Sequence, residues 1–393
     1  IIPGGRAPKL LEADVSARFG SKGKEVVEMN LNALKQSLAS LHKIDVPASW
    51  ATLGDDAPRV WPEGTPEFLK TLYPALYSEG DTLPVSKFVV GGVQPAGTSK
   101  YEKRGIATVI PVWDAEKCTQ CNQCATLCTH VCIRPFLLDA EEVKKAPATF
   151  KSVPAVGDEL KGLNFRIQVS AMDCSSCEVC AVNCPTNALT MTNFREVGER
   201  ESKNWEYAMT LTNKGNLVDK TTVKGCAFQT PMLEFPGACA GCGETQAVRI
   251  LTQLFGTRLM VANAMGCSRV WGGTFASNPY TINARGQGPA WGSSLFEDNA
   301  EFGFGMMTST LIKRRNLATR VQRILKDDSI PKSKELCASL QTWLENPRDA
   351  DKCEACYDNC VRLLADEKKN HKELALLEEV IDVMPKLTQW VIG

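Results

Sequence analysis
Apolar residues recur near the 3.6-residue period at the start of the chain, through Lys9-Leu10-Leu11-Glu12 and from Val26-Val27-Glu28-Met29-Asn30 to Leu41. This predicts helix over residues 1 to about 48. Residues 49–105 break that rhythm: Trp50, Pro58, Trp61, Pro62, Pro66, Pro84 and Gly91-Gly92 predict an irregular connecting unit with few long elements. Short apolar runs then take over. Residues 106–110 read as a strand leading to Cys118, and residues 165–169 as a strand leading to Cys174. Strand followed by cysteines thus occurs twice at a spacing near 56 residues, an internal repeat with an insertion between its halves. Beyond Cys226, Ala247, Val248, Leu251, Leu254 and Phe255 share one helical face over 243–255, and Leu259 to Ala262 predicts a buried strand ending at Gly266-Cys267. Helices over 333–345 and 352–384 and a strand from Gln389 to Ile392 complete an α/β order, and Gly393 is expected to lead into a loop.

At 393 residues the chain is too long for one ordinary core, so the prediction is a multidomain protein of mixed α/β and α+β class. Lys and Arg total 45, as do Asp and Glu, so no net field argues for nucleic acid or an anionic membrane surface as a partner. No run of eighteen apolar residues predicts a membrane span, and Ile1-Ile2-Pro3-Gly4-Gly5 lacks the order of a secretory signal. A chain that opens on Ile1 is expected to be processed or to be a segment of something longer, which leaves targeting unread.

The seventeen cysteines change this picture. Disulfide scaffolds are mostly short secreted chains, whereas eight cysteines here fall in two equal C-x2-C-x2-C-x3-C runs, Cys118/Cys121/Cys124/Cys128 and Cys174/Cys177/Cys180/Cys184. This is the spacing of ligands to two [4Fe-4S] clusters in a ferredoxin-like domain; structural zinc knuckles use separated C-x2-C pairs instead. In two-cluster ferredoxins the fourth cysteine of each run serves the other cluster. The expected sets are therefore Cys118, Cys121, Cys124 and Cys184, and Cys174, Cys177, Cys180 and Cys128. Pro185 follows Cys184 in the usual way, but Thr129 follows Cys128. Single-electron transfer in a reducing compartment, cytoplasm or a reducing anaerobic organelle, is the implied business.

Other cysteines read less sharply. Cys239-Ala-Gly-Cys242, with Cys267 downstream, fits a redox dithiol, half a zinc site or part of a cluster, and a fourth ligand would come from Cys226 or from outside the chain. Cys353, Cys356 and Cys360 make one helical stripe and are expected to pack as small hydrophobes, as are Cys132 and Cys337. Glu244 reads as a first-turn carboxylate favoured by the helix dipole. Gly303-Phe-Gly305 reads as local backbone permissiveness rather than a phosphate loop, and Trp271, Phe275 and Trp291 as core or cofactor-wall aromatics.

The segments Gly237-Ala-Cys-Ala-Gly-Cys-Gly-Glu-Thr245, Asn263-Ala-Met-Gly-Cys-Ser268 and Leu295-Phe-Glu-Asp-Asn-Ala-Glu-Phe-Gly-Phe-Gly305 closely resemble the pyruvate:ferredoxin (flavodoxin) oxidoreductases. Tyr101-Glu-Lys-Arg-Gly105, the double cysteine run, Trp271-Gly-Gly273, Pro279-Tyr280 and Gly288-Pro-Ala-Trp291 stand in that family's order. The resemblance implies a thiamine diphosphate enzyme that decarboxylates pyruvate, forms acetyl-CoA and CO2 with coenzyme A, and passes electrons singly along three [4Fe-4S] clusters to ferredoxin or flavodoxin. Cys239, Cys242 and Cys267 match three ligands of the cluster nearest thiamine, and Glu244 and Cys267 match thiamine contacts. The implied domains are 1–48, the end of a coenzyme-A-associated domain; 49–105, a linker domain; 106–225, the two-cluster ferredoxin-like domain; and 226–393, the first part of an α/β thiamine-diphosphate-binding domain. The family's Mg2+-binding Gly-Asp-Gly loop, its fourth ligand for the third cluster and its pyruvate-binding residues would lie outside the chain, so a middle segment of a homodimeric enzyme, inactive alone, is expected. The alternatives are a stand-alone iron-sulfur carrier, a subunit of a split enzyme, or a relative that reduces NADP through a fused flavoprotein.

Overall fold
The computed structural model describes residues 5–54, 60–78, 80–274, 277–283, 285–367, 371–386 and 389–392. The chain divides into two compact units, Ile1–Val60 and Trp61–Gly393. Among the described residues no helix is long and apolar enough to cross a membrane.

In the first unit the helix expected to run to residue 48 is two, α1 (Ala7–Phe19) and α2 (Lys24–Ala39). Gly23 separates them with φ at 100°, a conformation that a Cβ would disfavour. Residues 41–47 form no helix, in keeping with β-branched Ile44 and Val46 and with Pro47, which disfavours the helical region for its predecessor. Leu10, Leu11 and Met29 of this helix pair remain exposed.

The second unit opens with α3 (Glu67–Ser78) and a series of single 3-10 turns, as the proline and glycine content predicts. The doubled strand and cysteine pattern follows. Its first half runs β1 (Val109–Trp113), α4 (Gln123–Thr126), β2 (Ile133–Leu138) and α5 (Ala140–Lys145). Its second half, after β3 (Val153–Pro154), runs β4 (Asn164–Val169), α6 (Val179–Val182), β5 (Leu189–Asn193) and α7 (Phe194–Ala208). The halves are interleaved: β1 pairs antiparallel with β5 (Val109↔Asn193 to Trp113↔Leu189), and β2 with β4 (Ile133↔Val169 to Leu138↔Asn164). Each strand therefore depends on the opposite half for its hydrogen bonds. The repeat extends to the backbone, where left-handed residues occur in matched pairs: Gln120 and Ser176, Asn122 and Glu178, Val131 and Asn187.

Between the halves lies a core of Ile110, Ile133, Leu160, Phe165, Ile167 and Val169, extended by Trp113, Phe228 and Trp205. Arg134 and Glu234 form an ion pair of 2.7 Å at its edge, both side chains about nine-tenths buried, with the guanidinium over the rings of Trp205 and Phe235. Removing one member leaves the other charge buried and alone. Glu234→Ala is expected to cost about 3–5 kcal/mol of unfolding free energy, and the double variant Arg134→Met/Glu234→Met clearly less. Urea denaturation of the two variants checks this.

After α8 (Val223–Phe228) the order becomes α/β: α9 (Gly243–Phe255), β6 (Leu259–Asn263), α10 (Cys267–Gly272) and β7 (Ala290–Ser293). α9 and β6 match their predicted limits to within a residue. The four remaining helices are α11 (Asn299–Lys326), α12 (Lys334–Glu345), α13 (Ala350–Glu367) and α14 (Lys372–Glu378), and β8 (Gln389–Ile392) follows them. β6 is the central strand of an open parallel sheet ordered β7-β6-β8, which explains its unbroken apolar run.

One expectation fails in this part. The helix predicted over 352–384 is two, α13 and α14, and the His371 side chain accepts the Glu373 N–H as a cap of the second. Gly303 and Gly305, read as local backbone permissiveness rather than a phosphate loop, lie inside the 28-residue α11. Cys353, Cys356 and Cys360 are buried among Leu317, Val321, Leu340, Trp343 and Leu364, as a packing stripe should be. Phe275 and Gly393 lie outside the described residues.

Candidate redox site
Both cysteine runs use the same local device. Left-handed residues at the second and fourth positions after the first cysteine curl the backbone so that a single helical turn, α4 or α6, begins just before the third cysteine. The curl turns amides inward: Gln120 N donates to Cys118 Sγ at 3.4 Å, and Ala188 N donates to Cys184 Sγ at 3.2 Å.

The grouping of thiols follows the interleaved strands rather than the sequence. Cys118, Cys121, Cys124 and Cys184 line one cavity with Trp113, Ile167 and Leu189. Burial and the neighbouring Cys118 and Cys121 thiols push Cys124 up to about 12. Cys180 in turn is raised by burial, by Cys128 and Cys174, and then by Cys124 and Cys177. The first group thus takes three thiols from one run and one from the other, and Cys128 of the first run faces Cys180 of the second. All four members of the first group are partly exposed, whereas Cys128, Cys174 and Cys180 of the second are buried.

All seventeen cysteines are free thiols, and among the described residues no group of three or more His, Cys, Asp or Glu is placed to hold a metal ion. Four thiols spaced around a cavity, with backbone amides aimed at sulfur, match a group that distributes negative charge over several irons.

A second indication comes from Arg249, which the sequence reading passed over. It is 1% exposed, and its Nε and Nη1 have no hydrogen-bond partner among the described residues. On the same face of α9, Gln246 Nε2 donates to the carbonyl of Leu127 at 2.8 Å, which sets Arg249 one turn further along beside the cysteines. Burial lowers its basicity to about 10, and among its charged neighbours Cys128 comes first, then the repelling Arg134, then Cys226 and Cys124. An orphaned guanidinium facing thiols is the complement of an anionic group there.

The third set lies at the carboxyl edge of the parallel sheet, where open α/β sheets place their ligands. Cys242 is the N-cap of α9 and Cys267 the first residue of α10, after β6. Gly241, with φ at 76°, lets the 239–242 turn close, and a Cβ there would stand 4.0 Å from Val179 of the second run. Cys239 and Cys267 are exposed. Glu244 lies in the first turn of α9, as expected, and also accepts a hydrogen bond from Trp271 Nε1 at 3.0 Å that joins α9 to α10. Trp271, Tyr280 and Trp291 stack into one wall, and Gly273 leaves the space that Trp291 fills: a Cβ there would meet the ring at 2.6 Å.

Cys226 does not join this set. Its thiol faces Gln253 Oε1 at 4.0 Å, and Gln253 lies about 16 Å along α9 from Cys242. α8 packs it against the far half of that helix, so the Cys226 alternative for a fourth ligand is withdrawn.

Two further residues connect the sets. His130 is held at Nδ1 by Thr129 Oγ1 (2.8 Å) and Ser175 Oγ (3.1 Å), while its Nε2 reaches the Ala238 carbonyl at 2.8 Å. It therefore bridges the second thiol group and the segment leading to Cys239. Glu102 and Arg104 pair with each other, Lys103 pairs with Asp173 at 2.6 Å, and Arg104 lies against Gly237. This charged tripeptide clamps the irregular segment onto the residues preceding Cys174 and Cys239. Only a spatial contact, invisible in spacing, reveals either role.

Fold and site together define the class, an α/β chain built around grouped thiols. Comparison with known proteins adds to this. Over all of its length the chain is 44% identical to part of the pyruvate:ferredoxin oxidoreductase of Moorella thermoacetica, covering 34% of that protein, and 42% identical to part of the mitochondrial pyruvate dehydrogenase [NADP(+)] of Euglena gracilis, covering 22%. Over 88% of its length it is 48% identical to the pyruvate-flavodoxin oxidoreductase of Enterobacter agglomerans, covering 30% of it. The chain thus spans between about a fifth and a third of the length of these relatives. The resemblance seen in its motifs is borne out as similarity to a segment of pyruvate:ferredoxin and pyruvate-flavodoxin oxidoreductases. A family model described as the EKR domain, a domain of unknown function, matches residues 54–107, which include the Glu102-Lys103-Arg104 clamp.

Proposed function
We propose that this chain forms the electron-transfer section, and part of the thiamine site, of an enzyme that oxidatively decarboxylates pyruvate with coenzyme A to acetyl-CoA and CO2. On this reading residues 1–48 end a coenzyme-A-associated domain, 49–105 link it, 106–225 are a ferredoxin-like domain with two [4Fe-4S] clusters, and 226–393 begin a thiamine-diphosphate-binding domain. Bound thiamine diphosphate, with Mg2+, supplies a carbanion-stabilising ring, and the clusters supply one-electron carriers. The crossed thiol grouping carries this reading.

The residues divide the work by position. Cys239, Cys242 and Cys267 hold a third cluster at the sheet's carboxyl edge, where Glu244 and Cys267 also contact thiamine; its fourth ligand is not among the residues grouped there. Cys174, Cys177, Cys180 and Cys128 hold the buried middle cluster, and Cys118, Cys121, Cys124 and Cys184 the partly exposed outer one. Support for this order comes from burial, from the Gly241–Val179 approach and from the His130 bridge. Electrons then run outward to ferredoxin or flavodoxin, the carriers named for the Moorella and Enterobacter relatives. The NADP(+) of the Euglena relative's name supports a second reading in which a flavoprotein takes the electrons. Assembly as a homodimer completes the proposal.

Anaerobic reconstitution with iron and sulfide is expected to give about eight irons per chain, or about twelve with the third set filled. After reduction by dithionite, the chain should reduce ferredoxin or flavodoxin. Transfer only to a flavoprotein reductase selects the second reading, and transfer to none of the three overturns both.

A further inference from the structure
The sequence reading assigns Cys132 to packing, and its burial agrees, at 3% exposure. Its neighbours include sulfur atoms. Cys132 Sγ lies 3.4 Å from Cys128 Sγ, and the Cys132 thiol also faces Cys174 as a donor. Two of these three thiols belong to the second cluster in the proposal above, and the third has no role there.

The internal repeat supplies a comparison within the same molecule. The residue matching Cys132 in the second half is Ala188, also buried, at 2% exposure. Beside Cys184, then, stands a methyl group whose residue donates its backbone N–H to the Cys184 sulfur, whereas beside Cys128 stands a thiol. The halves differ in the turn too: Pro185 fixes a dihedral after Cys184, and Thr129 leaves that freedom after Cys128. The half with the less constrained ligand is the half with the additional sulfur.

We propose that Cys132 is a reserve ligand of the second cluster, able to take the iron that Cys128 holds. The step is a ligand exchange without electron transfer. The iron–sulfur bond to Cys128 breaks, one to Cys132 forms, and the Cys132 thiol proton passes to the released Cys128 sulfur beside it. The proposal rests on the crossed assignment of Cys128 to the second cluster, so its test must fail separately from that assignment.

The test counts iron and acid-labile sulfide in the reconstituted full chain and records the electron paramagnetic resonance of the reduced state. Cys128→Ala is expected to keep its full iron content with an altered second-cluster signal, whereas Cys128→Ala in a Cys132→Ala background, the residue of the matching position, is expected to lose about four irons. Loss of those irons from Cys128→Ala alone, with the fold intact by circular dichroism, overturns the reserve role and leaves the crossed assignment standing. Full iron in the double variant overturns both, because Cys128 would then not be a ligand. Where the alanine variant fails to fold, Cys128→Val replaces it with the same pair of outcomes.

Discussion

Cys184→Ser is expected to strip the chain of the cluster held by Cys118, Cys121 and Cys124 and to leave the cluster of its own run in place. Iron should fall from about eight to about four per chain, and the residual resonance of the reduced protein should match that of Cys118→Ser and differ from that of Cys174→Ser. The reason is topological. β5, which follows Cys184, pairs with β1, which precedes Cys118, so the end of the second run is delivered to the cavity of the first. No buried thiol stands beside Cys184 to replace it, since the matching residue is Ala188. Because thiols release protons and gain iron on assembly, part of the folding free energy is metal-binding energy. The variant should therefore also melt at lower temperature than the loaded wild type. A Cys184→Ser protein that keeps the signal of the Cys118 group would mean that each run serves its own cluster.

Arg249→Met should lower the reduction potential of the second cluster by about 90 mV, and that of the first by less. At an effective dielectric near 20, a unit charge acting over a separation of about 8 Å is worth about 2 kcal/mol, which for a one-electron couple is about 90 mV. The order follows from its charge partners, with Cys128 ahead of Cys124. Arg249→Lys keeps the charge and should leave both potentials close to the wild type. In the iron-free chain the sign reverses. The Nε and Nη1 donors are buried without partners, so replacing them with a methionine of similar length should leave stability unchanged or raise it. A potentiometric titration followed by resonance spectroscopy reads the first effect, and urea denaturation of the iron-free protein the second. Unmoved potentials in Arg249→Met would show that the guanidinium does not act on the clusters. The charge would make the middle carrier the better acceptor for electrons arriving from the Cys239 side.

Much of this was legible from the order of residues alone. Cysteines three and four positions apart bring thiols together through local backbone geometry, so both runs, and the 56-residue repeat that contains them, appear in the sequence. The amphipathic face of 243–255 and the apolar run of 259–262 are likewise local patterns, and α9 and β6 follow them. The failures have equally local causes. Phe304, Leu311 and Ile312 are exposed on α11, so the apolar stripe that marks a helix is blurred there, and two glycines concealed it further. The break between α13 and α14 carries no proline or glycine to mark it.

Partnership across the fold is a different kind of information. The pairing of β1 with β5 is what brings Cys184 to the cavity of Cys118, as the cysteine runs led one to expect, whereas only the packing of α8 on α9 takes Cys226 away from Cys242. Arg249, His130 and Cys132 gain their meaning from neighbours tens of residues away or from burial that leaves a donor without an acceptor. Sequence by itself determined the chemistry available, thiols at cluster spacing in a chain similar to pyruvate oxidoreductases, because that depends on residue type and short-range geometry. The tertiary structure alone decided how those thiols are ordered from buried to exposed and set beside a buried charge, because each of these depends on long-range contacts and on exclusion of water.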